Sequence, residues 1–169
     1  KLSPAALLGL CWTTAACSLS PGDGPYVFNE GDDRVARWIC EGEVREQAIG
    51  TDGRIEPACG ESAVLTLDAK AELAPDSLPQ PARWAALSDI HGQADLFRRL
   101  LRAQGLIDAH DHWAWADGVL VITGDVLDRG PEQMEALWTI YRLAQEAREA
   151  GGRVELLLGN HEAMVLAGD

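Results

Sequence analysis

Three short apolar runs, residues 84–87, 119–123 and 154–158, punctuate the second half of the chain, and a polar stretch rich in Gly, Asp or Asn follows each. Runs of that length bounded by turn residues predict buried strands. Between them the period lengthens. Leu96, Phe97, Leu100 and Leu101 mark one side of a helix that Gly105 closes. Met134, Leu137, Trp138, Tyr141 and Ala144 recur at i, i+3, i+4, i+7 spacing until Gly151-Gly152 ends a second helix, with Pro131 suited to its first turn. Residues 108–115 read as a loop plus a short strand. Strand, helix, strand, helix, strand predicts an α/β fold around a parallel sheet over residues 82–169. That length is about half of a usual α/β domain, so the unit reads as the N-terminal part of a longer one.

The first half is patterned differently. Alternating runs at 34–40 and 63–67, broken by Gly and Asp, predict a small β-rich lead-in over 26–73. Residues 74–81 hold three prolines and read as a linker, while the small, polar residues 18–25 read as a tether. Residues 4–16 carry no charge. They are too few to span a bilayer and the right number for the apolar part of a signal peptide. Thr14-Ala15-Ala16-Cys17 resembles a lipobox, which would make Cys17 a lipidation site. The other reading is a plain signal peptide cut at an Ala-x-Ala-like site. Both predict export in a bacterium, to the periplasm or to a membrane as an anchored lipoprotein.

Composition narrows this a little. At 169 residues and 47% apolar, the chain can bury a core. Its net charge of -13 excludes nucleic-acid backbone as a natural partner. With Cys11 in the signal and Cys17 lipidated, Cys40 and Cys59 remain. They are either a disulfide formed in an oxidising compartment or two separate buried thiols. Oligomeric state is not legible.

The chemistry lies in three segments: Ser88-Asp89-Ile90-His91-Gly92, Gly124-Asp125-Val126-Leu127-Asp128-Arg129-Gly130 and Gly159-Asn160-His161-Glu162. Each falls at the carboxyl end of a predicted strand, where α/β sheets place their ligands. Carboxylates, imidazoles, an amide oxygen and a guanidinium together suit two divalent metals and a phosphate. Asp89 and His91, one residue apart on extended backbone, are expected to point the same way and grip one metal. Asp125 can bridge two metals, and Asn160 offers a carbonyl oxygen to the second. Metals so held would acidify a bridging water and clamp phosphate oxygens. Arg98, Arg99 and Arg102 read as a solvated helix face, and Glu162 as a support for the His161 loop.

The three segments resemble the signature of the phosphoprotein phosphatases among the calcineurin-like metallophosphoesterases: Asp-x-His-Gly, Gly-Asp-x-x-Asp-Arg-Gly and Gly-Asn-His-Glu. Trp113-Ala114-Trp115 before Asp117-Gly118, the Ala150-Gly151-Gly152 turn, and Glu162-Ala163-Met164 running to Gly168-Asp169 resemble the bacterial Shewanella-like protein phosphatases. The likeness covers residues 82–169, and none is evident before Ala82. It implies a metallophosphoesterase-type α/β sandwich, incomplete here, that hydrolyses phosphate monoesters, phosphoproteins among them, by attack of a hydroxide held by two metals. Mn, Fe or Zn suits the mixed donors.

The resemblance also implies roles. Asp89, His91 and Asp125 would hold the first metal, and Asp125 and Asn160 the second. His161 would protonate the leaving oxygen with Asp128 orienting it, and Arg129 and Asn160 would bind the phosphate. Ser88 stands where the family commonly has Gly. Two later histidines of the family pattern are absent from the chain, and His110 and His112 read as surface residues that do not replace them. The stretch by itself is therefore expected to bind metal poorly. The same motifs, with Pro131 after Asp-Arg-Gly, also fit a dinucleoside-polyphosphate hydrolase. A lipoprotein that binds phosphate or metal without turnover is the third reading.

Overall fold

The computed structural model describes residues 22–59, 64–68, 77 and 80–168. The expected signal segment with Cys17, and five of the eight residues of the expected linker, lie outside the described residues. Strands β1 (Asp23–Glu30), β2 (Asp33–Cys40) and β3 (Glu43–Ile49) form an antiparallel meander in that order, and β4 (Arg54–Ile55) pairs with β5 (Leu65–Thr66). β1 begins at Asp23, inside the stretch expected to be a tether. Glu41 and Gly42, at φ 54° and 85°, make the two-residue turn between β2 and β3, the geometry that matches strand twist in a tight hairpin.

The meander has its own small core. Ala36, Trp38, Cys40, Ile49 and Ile55 are buried together, and Cys40 is disulfide-bonded to Cys59 with their Cα atoms 5.2 Å apart. Of the two readings of these cysteines, the structure shows the bonded one.

Next come β6 (Trp84–Leu87), α1 (Ala94–Ala103), β7 (Val119–Ile122), α2 (Gln133–Glu149), β8 (Arg153–Leu156) and α3 (Asn160–Ala167). β6, β7 and β8 form a parallel sheet in that order. Cross-strand register aligns Ala85 with Leu120 and Val154, and Leu87 with Ile122 and Leu156. Because side chains alternate along a strand, these two rows share one face. That face packs on Phe97 and Leu101 of α1 and on Ala136, Ile140 and Leu143 of α2.

Several expectations are corrected here. On α1, Leu96 and Leu100 are 55% and 45% exposed, and the inward face is Ala94, Phe97 and Leu101. On α2 the buried positions are Ala136, Thr139, Ile140, Leu143 and Ala147, not the predicted stripe. α2 has two apolar faces because it meets two neighbours. From the predicted stripe, Leu137 packs on the parallel-sheet core, while Trp138 turns to the β-rich unit, where its indole donates to the Pro25 carbonyl at 3.0 Å. Tyr141, Gln145 and Arg148 bond Asp68 from the same side. Pro131 precedes the Glu132 N-cap of α2 rather than sitting in its first turn.

The short strand expected within residues 108–115 is only a single bridge between Ile107 and Trp113. Side chains take the amides a strand would have paired. Asp108 accepts from His110 and His112, and Glu146 accepts from Trp113.

Candidate metal centre

All three motif loops leave the same edge of the sheet, one from each strand of a parallel ladder. The ladder runs on past the strands: Thr123 donates to Leu87 and Leu157 to Ile122. The His91 amide then donates to the Asp125 carbonyl at 2.9 Å and the Gly92 amide to Val126 at 2.8 Å. Two loops far apart in sequence are thereby held backbone to backbone.

Such closeness leaves no room for side chains at certain positions. A Cβ on Gly130 would strike the His91 carbonyl, and one on Gly159 would strike the Asp125 carboxylate. Asp89, His91, Asp125, Asp128 and Arg129 all adopt left-handed φ, between 47° and 70°. Each costs about 1 kcal/mol relative to ordinary backbone, and surrounding hydrogen bonds must hold it there.

Much of that hold comes from Glu162. The residue is 4% exposed, and its carboxylate accepts four backbone amides: Asp125 and Gly159 on Oε2, Val126 and Leu127 on Oε1, at 2.7 to 3.0 Å. Burial alone would push its carboxyl up. The four donors outweigh burial and hold it below the usual value, ionised. One side chain thus clamps the second loop to the third.

At the centre, one ligand atom each from His91, Asp125 and His161 lie within 4.8 Å of one another. His91 is buried, and its Nδ1 lies 3.0 Å from the Leu127 carbonyl. That carbonyl only accepts, so Nδ1 carries the proton and Nε2 keeps its lone pair, the arrangement a metal ligand needs. Asp125 Oδ1 accepts the His161 amide at 3.2 Å. The donor set, a carboxylate oxygen beside imidazole nitrogens, suits a divalent metal.

His161 has both nitrogens occupied. Nδ1 lies 3.1 Å from Asp128 Oδ2 and Nε2 lies 3.3 Å from Arg129 Nη2. A guanidinium only donates, so Nε2 accepts and the ring proton sits on Nδ1, toward Asp128. The Asp128 carboxyl is held below its ordinary value, first by the Arg129 amide it accepts and also by His161 and the Arg129 charge. The rings of His91 and His161 meet edge to face at 4.7 Å.

Asp89 is not among this group of three, and Asn160 is the residue next to His161. Both are exposed, Asp89 just past β6 and Asn160 as the first residue of α3. The expectation that extended backbone points Asp89 and His91 the same way is corrected: β6 stops at Leu87, and both residues are left-handed, at φ 60° and 47°. The tight turn onto the Asp125 loop replaces the extension. Sequence reasoning missed two contributors, the Leu127 carbonyl and the Gln133 side chain, which bonds the Asp128 amide. Neither carries a signal in residue type or spacing. His112 bonds Glu146 on the far surface and takes no part in the centre.

Comparison with known proteins points the same way. A family described as calcineurin-like phosphoesterase matches residues 82–168. Shewanella-like protein phosphatase 2 of Arabidopsis thaliana is 40% identical over 90 residues, 53% of this chain and 23% of that protein. A symmetrical bis(5'-nucleosyl)-tetraphosphatase of Buchnera aphidicola is 35% identical over 81 residues, 48% of this chain and 24% of that protein. The crystal structure of a cold-active protein-tyrosine phosphatase from a psychrophile Shewanella sp. superposes with a TM-score of 0.79 at 39% identity. It covers 86% of this chain and 45% of that one.

The chain spans about a quarter of the length of these curated relatives. Residues 82–168 supply only about half of this chain. The β-rich unit, where the sequence showed no resemblance, therefore takes part in the structural match.

Proposed function

The chain belongs to the calcineurin-like phosphoesterase family, and from that premise we propose that its protein hydrolyses phosphate monoesters, phosphoproteins among them, with divalent metal. The observation that carries this is the convergence of His91, Asp125 and His161 with Asp128 and Arg129 turned onto the same imidazole. Asp89, His91 and Asp125 would hold one metal, and Asp125 and Asn160 a second. Such a pair supplies charge neutralisation at the phosphate and an acidified water.

The remaining roles belong to the chain's own groups. His161 would suit a metal by distance alone, but Asp128 and Arg129 already engage both its nitrogens, which favours proton donation. Asp128 holds Nδ1–H, and when Arg129 turns to the phosphate Nε2 is released to take a proton from solvent and pass it to the leaving oxygen. Arg129 matches two phosphate oxygens with its planar fork, and the Asn160 amide would share that phosphate. Glu162 keeps Asp125 and the loop up to Leu127 in place.

Phosphoprotein is favoured over dinucleoside polyphosphate because the protein-phosphatase relative is 40% identical over 90 residues against 35% over 81 for the tetraphosphatase. The match to the protein-tyrosine phosphatase extends through the β-rich unit. The Cys40–Cys59 bond supports an exported protein, with Cys17 as the lipid site.

The test uses the protein at its full native length, stripped with chelator and then given Mn²⁺. Hydrolysis of an aryl phosphate should return with metal and be lost in Asp125→Asn. A folded, metal-loaded protein inert toward aryl phosphate and phosphotyrosyl peptide, yet active on diadenosine tetraphosphate, would favour the second reading.

A further inference from the structure

Gln133 is the first residue of α2, and its side chain turns back over the loop that carries Asp128 and Arg129. Oε1 accepts the Asp128 amide at 3.0 Å and Nε2 donates to the Gly130 carbonyl at 3.2 Å. These bonds bracket the two residues that hold φ of 70° in succession. The stem of the same side chain passes 2.8 Å from where a Cβ on Gly92 would stand. Gln133 is thus wedged between this loop and the His91 turn.

A primary amide is the group that can do both jobs. A carboxylate has no donor for Gly130, and an ammonium has no acceptor for Asp128. The segment it brackets aims its two side chains at one target: Asp128 at Nδ1 of His161 and Arg129 at Nε2. A rotation of this backbone would move both away from the ring together.

We propose that Gln133 is a positioning residue for proton delivery: its side-chain amide fixes the backbone of this loop so that the Asp128 carboxylate closes on His161. The inference rests on the reading of His161 as proton donor, and the experiment separates the two. Gln133→Met keeps length and packing beside Gly92 but removes both bonds, whereas Gln133→Glu keeps only the acceptor. Each is made in the full-length, Mn²⁺-loaded protein beside His161→Ala. kcat/KM is measured on p-nitrophenyl phosphate, whose leaving group departs readily without a proton, and on phenyl phosphate, whose leaving group needs one more.

His161→Ala should lose far more on the phenyl ester. Gln133→Met should lose about tenfold there and less than about threefold on the nitrophenyl ester, with thermal unfolding and Mn²⁺ affinity unchanged. Gln133→Glu should follow the same direction with a smaller loss, and it decides the matter if Gln133→Met does not fold. Equal losses on the two esters, or wild-type rates, beside a leaving-group-sensitive His161→Ala would overturn the role of Gln133. An insensitive His161→Ala would overturn the proton-donor reading, and this inference with it.

Discussion

Oδ2 of Asp128 lies 3.1 Å from Nδ1 of His161, and the guanidinium of the next residue, Arg129, lies 3.3 Å from the opposite nitrogen of the same ring. An anion on one side and a cation on the other fix where the ring proton sits. The His161 side chain is only 11% exposed while that of Asp128 is 57% exposed, so the carboxylate reaches in from solvent to a ring that is nearly enclosed. Asp128→Asn keeps the shape but removes the charge that holds Nδ1–H. We expect kcat on phenyl phosphate to fall by about tenfold or more with KM nearly unchanged. Steady-state kinetics on the wild type and Asp128→Asn at one pH checks it.

Arg129→Lys preserves the charge and loses the fork. A lysine ammonium cannot meet two phosphate oxygens in the same plane. The inhibition constant for inorganic phosphate should rise by about tenfold, while Mn²⁺ affinity, measured by calorimetry, should not move.

Glu162→Gln should be costly although it alters one atom. The carboxylate offers two acceptor oxygens to four amides, and the glutamine NH₂ group accepts none, so either orientation leaves two buried donors unpaired. The expected loss of stability is about 2–4 kcal/mol in urea unfolding. Mn²⁺ affinity should fall with it, because Asp125 loses the anchor of its own amide.

Glu146 gives a pH dependence. Burial would push its carboxyl up, but the Trp113 amide, His112 and Arg142 outweigh burial and hold it below its ordinary 4.5. A depressed folded value stabilises the protein above the unfolded value, and this is lost as pH falls through the folded one. Glu146→Gln should therefore cost about 1 kcal/mol near pH 7 and progressively less below the ordinary carboxylate range. Urea unfolding at neutral pH and at pH 3 would show the gap closing, and a gap that held constant would sink the assignment.

The parallel core was legible because 84–87, 119–123 and 154–158 are apolar runs too short to be helices, each ending in a motif that a sheet presents at its carboxyl edge. The faces of the helices were less so. Leu96 and Leu100 have the spacing of core residues but face solvent, and α2 turns Trp138 and Tyr141 of its predicted stripe to the β-rich unit while Leu137 packs on the parallel-sheet core. Apolar spacing marks a face without saying which neighbour covers it.

Motif spacing by itself determined which loops carry the chemistry, and with it the candidates Asp89, His91, Asp125, Asp128, Arg129, Asn160 and His161. Residue types and strand ends are local properties of the chain. Only the tertiary structure decided how those residues meet: that His91, Asp125 and His161 converge, that Glu162 clamps four amides, and that Gln133 bridges the Asp128–Gly130 loop. Those relationships run through backbone groups: the amides and carbonyls that Glu162 and Gln133 meet, and the His91–Asp125 and Gly92–Val126 bonds that join two of the loops. Every residue carries the same backbone donor and acceptor, so no pattern of side chains along the sequence can announce which of them will pair.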